Sequence, residues 1–149
     1  MSCLCSPTKV ANYLQRLSGP LLDCIDLQVA VQRPSAQALL APQVGISTAQ
    51  AKQKVLHAQA TQLQRAGQLN GHLTGVELER HAALLKPEAA LLTQAIANLN
   101  ISPRGIYKVL KVARTIADLD AAAKVQKNHL LEALSYRRLD VLSQESQQI

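Results

Sequence analysis

The apolar positions of this 149-residue chain fall into two regimes. From residue 47 onward they recur at steps of three and four, the period of a helix with one face turned to a core. Ser47 with Gln50 forms a capping-box signature, and the helix it opens runs to about Ala66, with Ala51, Val55, Ala58 and Gln62 on one side. Gly67, Gly71 and Gly75 punctuate a loop. Thr74 with Glu77 repeats the capping signature and opens a short helix to about Leu84. Pro87 starts the next, with Leu91, Leu92, Ala95, Ile96 and Leu99 as its buried face. A last helix runs from about Val125 to Leu139 and buries Leu130, Leu131 and Leu134.

Before residue 47 the pattern is broken. Ser6-Pro7-Thr8 opens a short helix through Val10, Tyr13, Leu14 and Leu17, and Ser18-Gly19-Pro20 ends it. Leu27 to Val31 alternates like a strand, and no other stretch reads as one. A lone strand leaves its backbone ladder unpaired, so its sheet is expected to be missing. Pro34, Pro42 and Gly45 make residues 33–46 a connector with room for one helical turn. The expected class is therefore all-α: a bundle of about four main helices over residues 47–140. A detached, partly disordered unit over 1–32 precedes it, and a frayed tail over 141–149 follows.

The stretch Ile101 to Asp120 carries the clearest chemistry. Ser102 is a good N-cap and Pro103 suits the first helical position. Ile106, Val109, Leu110, Ala113, Ile116 and Ala117 make one apolar face. Arg104, Lys108, Lys111 and Arg114 fall at steps of four, three and three, so at about 100° per residue they share a second face. An arginine in the first turn opposes the helix dipole. Either an anionic ligand keeps it there, a phosphate or DNA contact shared with Lys108, Lys111 and Arg114, or the face is a solvated basic surface.

Composition narrows the classes. Phe and Trp are absent and only Tyr13, Tyr107 and Tyr136 are aromatic, which argues against a protein that reads unpaired bases by stacking. No apolar run approaches the ~20 residues of a membrane span, and MSCLCSPTKV lacks the apolar core of a signal peptide. A cytoplasmic protein with no membrane partner is expected, its three cysteines reduced. The formal charge of +6 is spread along the chain without a basic block and permits contact with phosphate.

Four segments together resemble one family. Ser102 to Asp120, SPRGIYKVLKVARTIADLD, looks like the sensor 2 helix of the magnesium-chelatase-like AAA+ ATPases, in the ComM/YifB branch linked to bacterial competence. Tyr13 to Val31, YLQRLSGPLLDCIDLQVAV, resembles that family's Y-x-x-R/K-L-S-G-P-L-L-D-R-I-D-L run. Gln62 to Leu73, QLQRAGQLNGHL, is similar to its Q-x-x-R-x-G-x-x-N-x-x-L, and His129 to Arg137, HLLEALSYR, to its closing H-L-x-E-A-L-x-Y-R. They occur in the family's order across nearly the whole chain.

The resemblance implies the end of an AAA+ nucleotide-binding core over 1–32 joined to the helical lid of such an ATPase. No G-x-x-x-x-G-K-[ST] phosphate loop or acid-ended strand for magnesium occurs here; in the family these precede the first residue of this chain. ATP and magnesium thus belong to the parent, as do a homo-hexameric ring and a DNA partner. The chain alone is expected to be a monomer without ATPase activity. By the same resemblance Arg104 is the sensor 2 arginine, which senses the terminal phosphate of the nucleotide.

Cys24 departs from the family pattern. It stands where L-L-D-R-I-D has an arginine finger, and a thiol supplies no bidentate positive fork. Such fingers contribute about 10³–10⁵ in rate. A weak parent ATPase, substitution by Arg16 and a sequence variant all remain open. Cys3 and Cys5 match one of the family's two C-x-C pairs, half of a structural zinc site, and two free thiols are favoured. His57, His72, His81 and His129 show no metal spacing; His129 reads as a capping or surface residue. Gln62, Arg65 and Asn70 match the family and have at most a role in fixing the loop between the first two lid helices.

Three functions compete. One is the lid of a ComM-like ATPase and DNA helicase acting in competence or recombination. The second is a chelatase-type remodeller of a partner protein. The third is a stand-alone helical adaptor that binds DNA or protein through the Arg104–Arg114 face.

Overall fold

A computed structural model describes residues 5–14, 24–29, 31, 33–40, 45–99 and 101–137. Its elements are α1 (Pro7–Leu14), α2 (Ala36–Leu40), α3 (Thr48–Ala66), a 3-10 turn (Asn70–His72), α4 (Gly75–His81), α5 (Lys86–Leu99), α6 (Pro103–Leu119) and α7 (Lys127–Ser135). The chain is all-α, with no strand among the described residues.

Helix α6 is the centre of the domain. It packs most extensively on α7, then on α3, the 3-10 turn and α4. Val109, Ala113, Ile116 and Ala117 of α6 join Leu92 of α5, Val125, and Leu130 and Ala133 of α7 in the main core. The alanines let the helices approach closely, which is how a core without Phe or Trp fills its volume. Each fully buried Leu adds about 1.5–3 kcal/mol. Leu73, Leu78 and Ala82 form a smaller cluster under α4, and Leu110 packs against both.

Local chemistry sets the helix ends. The Ser47 hydroxyl accepts from Gln50 N–H at 3.2 Å and Gln50 Oε1 accepts from Ser47 N–H at 2.9 Å, a complete capping box. Gly67 ends α3 in the left-handed conformation at φ 68, which costs glycine nothing. Thr74 departs from expectation: it precedes α4 but its side chain makes no cap bond. Its intended partner Glu77 instead accepts from Gln68 Nε2 at 2.9 Å. Helix α7 is also shorter than its apolar spacing suggests. Val125 is buried ahead of it, and Leu131 is 47% exposed while Ala133 is buried.

The segment expected to stand apart instead touches the domain. Gln28 N–H donates to Tyr136 C=O at 2.8 Å, Lys108 pairs with Asp26 at 2.6 Å, and Arg137 Nη1 donates to Ile25 C=O at 3.1 Å. Three polar anchors, on α6 and just after α7, hold residues 25–28. The described residues of Leu27–Val31 form no strand, and Val29 and Val31 are exposed; Ala30 lies outside the described residues. The expected tail, 141–149, lies outside the described residues.

Candidate functional site

The start of α6 is built with care. Ile101 is buried ahead of it, Ser102 is extended, and Gly105 N–H donates to Ser102 Oγ at 3.0 Å. Gly105 is itself buried: an added Cβ would stand 2.8 Å from Ile101 Cγ2 and 3.3 Å from Arg137 Nη2. Pro103 holds the first helical position. With the turn pinned from three sides, Arg104 projects outward. It is exposed and has no hydrogen bond or ion pair among the described residues.

The four-cation face does not form. Lys108 is committed to Asp26, and Lys111 Nζ donates to Gly71 C=O at 2.9 Å. Between them a groove of about 350 Å³, mostly apolar, runs past Leu27, Val112 and Ile116 to Tyr136. The Tyr136 hydroxyl donates to Glu132 at 3.1 Å, and that bond, with the carboxylate's charge, holds its phenol above the usual range. Arg114 is the clear correction. It is 2% exposed, and all three of its nitrogens are used. Nε and Nη2 donate to Asp118 Oδ1 at 3.1 and 2.7 Å, Nη2 to Ala122 C=O at 2.7 Å and Nη1 to Ala123 C=O at 3.1 Å. Arg114 is therefore no phosphate or DNA contact. Counting charges along the helix overlooked its acidic partner four residues on.

Asp118 is the hub that sequence reasoning missed. Arg65 grips it with both terminal nitrogens, Nη2 at 2.8 Å, and Asn70 Nδ2 donates to it at 2.8 Å. Asn70 Nδ2 also reaches Thr115 Oγ1, its backbone N–H donates to Gln62 Oε1 at 3.0 Å, and its side-chain Oδ1 accepts from Arg65 Nη2 at 2.8 Å. The family-matching Gln62, Arg65 and Asn70 thus lock the loop after α3 onto α6. Burial pushes the Asp118 carboxyl up, but hydrogen bonds from Arg65, Asn70 and Arg114, with Arg114's charge, outweigh it and hold it below the ordinary carboxylate range. The regular Q-x-x-R-x-G-x-x-N spacing was a signal for such a lock, since it puts Gln62 and Arg65 on one helix face.

Cys5 and Cys24 are exposed free thiols; Cys3 and Arg16 lie outside the described residues. Among the described residues no group of three His, Cys, Asp or Glu side chains could hold a metal ion. His129 is a cap, as expected, and is buried rather than on the surface. Its Nδ1 accepts from Gln126 N–H at 3.0 Å, and Nε2 lies 3.3 Å from Asp120. Against a nucleotide, the residues present fit one charged contact, from Arg104 to a phosphate. No described helix is long and apolar enough to cross a membrane.

The chain matches known proteins along most of its length. Residues 45–137 match the family model described as magnesium chelatase, subunit ChlI C-terminal, and residues 1–39 match magnesium chelatase, subunit ChlI. The chain is 39% identical over 141 residues to the competence protein ComM of Haemophilus influenzae, covering 94% of this chain and 28% of that protein. It is 39% identical over 139 residues to YifB, an uncharacterised protein of Escherichia coli, covering 93% and 28%. An uncharacterised protein of Mycobacterium tuberculosis matches at 33% over 143 residues, covering 91% and 28%. The chain thus spans 28% of the length of the curated relatives it matches.

Proposed function

This chain belongs to the family of the magnesium chelatase subunit ChlI C-terminal domain, in its ComM/YifB branch, and from that premise we propose that it is the nucleotide-sensing lid of an AAA+ ATPase. The observation that carries this reading is Arg104: exposed, without a partner among the described residues, and fixed in the first turn of the helix with the most buried residues among those described. When bound by the parent, ATP with magnesium supplies the phosphoanhydride whose hydrolysis drives the motor. Arg104 donates to a terminal phosphate oxygen, and the charged hydrogen bond stabilises negative charge there. Ser102, Ile101 and Gly105 fix the turn from which Arg104 projects. The core behind α6 converts a pull on Arg104 into movement of the whole lid.

We further propose that the parent is a homo-hexameric ring working on DNA in competence or recombination, after its relative ComM. The chelatase name of the family favours a second reading, a remodeller of a partner protein. The adaptor reading loses its supporting face, because Arg114 is buried and Lys108 and Lys111 are engaged.

The test is Arg104→Ala in a protein that joins this chain to a nucleotide-binding core. Stability should change by less than about 0.5 kcal/mol, as for other surface substitutions. ATP turnover should fall at least about tenfold, the effect of losing one charged hydrogen bond. Turnover and ATP affinity equal to the parent's would assign Arg104 no role. Stimulation of turnover by DNA separates the motor from the remodeller.

A further inference from the structure

The groove between α6 and α7 is built from one continuous side of α6. Lys108, Val112, Thr115, Ile116 and Leu119 follow one another along it at helical spacing. Glu132 and Tyr136, one turn apart, face them from α7, and Leu27 stands on the rim. The cavity of about 350 Å³ is predominantly apolar, yet Leu27 is 51% and Leu119 43% exposed. Removing those side chains from water is favourable, so the groove gains from a cover of matching shape.

The chain itself supplies one. Residues 138–149 lie outside the described residues and follow directly on Tyr136 and Arg137. Arg137 abuts Gly105, so this segment leaves α7 at the Lys108 end of the groove. It begins Arg138-Leu139-Asp140-Val141-Leu142. From Lys108 to Leu119 the groove follows α6 for about 16 Å at 1.5 Å per residue. Five extended residues cover about the same length at 3.3 Å each, with Leu139 and Val141 on one face. Charge fits as well. Lys111 donates to Gly71 C=O and Glu132 accepts from Tyr136, and neither has an oppositely charged partner among the described residues. Arg138 and Asp140 bring one charge to each. Such exposed pairs add little affinity, but they fix register. A segment tethered at the rim also competes at an effective concentration on the order of millimolar, ahead of an apolar segment from another molecule.

We propose that residues 138–142 fold back along α7 as an extended strip and seat Leu139 and Val141 in the groove between α6 and α7. The strip covers Leu27 and Leu119 and becomes a fourth attachment for residues 25–28. It needs no nucleotide, so it stands or fails separately from the role of Arg104.

The test places a nitroxide on the full 149-residue chain, labelled with nitrogen-15. Ser143→Cys carries it, in a background of Cys3→Ser, Cys5→Ser and Cys24→Ser. A seated strip puts the nitroxide at the Leu119 end of the groove. The amides of Thr115 and Leu119 should therefore lose more intensity than that of Lys108. Leu139→Ser with Val141→Ser, both outside the described core, should abolish that order. An intensity loss that is strongest at Tyr136 and Lys108 and fades towards Leu119 means that the segment does not enter the groove, and overturns the proposal. So does a profile that Leu139→Ser with Val141→Ser leaves unchanged. Nitroxide-bearing chain without nitrogen-15 is then mixed with nitrogen-15 chain without nitroxide. Intensity loss at Leu119 in that mixture assigns the groove to the tail of a second copy and overturns the intramolecular seat; its absence supports it.

Discussion

Asp118 sits at 1% exposure with two arginines and an asparagine aimed at it. Removing one member of such a buried set strands the others, at a cost of about 3–5 kcal/mol. Asp118→Ala should lower the unfolding free energy by that much in a urea titration, where Lys111→Ala on the same helix should change it little. The pH dependence follows from the direction of the carboxyl's shift. Its folded-state value is depressed, so its stabilisation is complete above the unfolded value of about 3.9 and is lost as pH falls below it. Acid melts of the wild type should therefore fall more steeply below that point than those of Asp118→Asn. Gly105 offers a second check. Alanine there gains up to about 1 kcal/mol in helix propensity, but its methyl would meet the Ile101 branch at 2.8 Å. Overpacking costs about 1–3 kcal/mol, so Gly105→Ala should destabilise, measurably by urea titration. The spacing of Gln62, Arg65 and Asn70 pointed to a fixed loop, but nothing in the sequence named Asp118 as the acceptor that fixes it. The sequence put Arg114 among surface charges because a helical wheel shows direction from the axis and not what another helix brings to that side.

At the level of elements the sequence was a better guide. The capped starts of α3 and α6 and the small turn α2 lie where Ser47, Ser102 and the 33–46 connector put them. The exceptions share a cause. Thr74, Val125 and Leu131 were assigned by local rules, and tertiary neighbours took over: Gln68 captures Glu77, and the core takes Val125 ahead of the helix. Helix α3 itself is unevenly held. Of its 19 residues only Ala58 and Gln62 are buried, both in its second half, while Val55 and Leu56 are about half exposed. Its first turns therefore rest on the Ser47 box and on intrinsic propensity, which sustains a short helix poorly in water. Amide exchange should be faster over residues 50–57 than over 59–66. Uniform protection along α3 would mean that something else covers its first half.

For the molecule as a whole, the all-α class and its order were readable because helical periodicity persists from residue 47 and because the four family-like segments occur in sequence. The seating of residues 25–28 was not readable. It depends on single polar bonds to residues more than eighty positions away, which leave no periodic trace. The assembly is the remaining whole-molecule question. We expect this chain alone to sediment as a monomer and to show no ATP turnover above a buffer blank, since its sequence holds no G-x-x-x-x-G-K-[ST] phosphate loop. A stable hexamer, or measurable hydrolysis, would contradict both the lid assignment and the division of labour it assumes.

The position of Arg137 has one more consequence. Its guanidinium donates to Ile25, 112 residues earlier in the sequence, and also abuts Gly105 in the first turn of α6. One side chain therefore joins the segment next to Cys24 to the turn that carries Arg104. Linkage of this kind has no preferred direction. If engagement of Arg104 makes the segment at 25–28 harder to lift, then lifting that segment loosens Arg104's hold by the same free energy. In the proposed ring, separate devices to report a bound nucleotide to a neighbour and to let a neighbour release it would not be needed; one joint, read from either end, would do both.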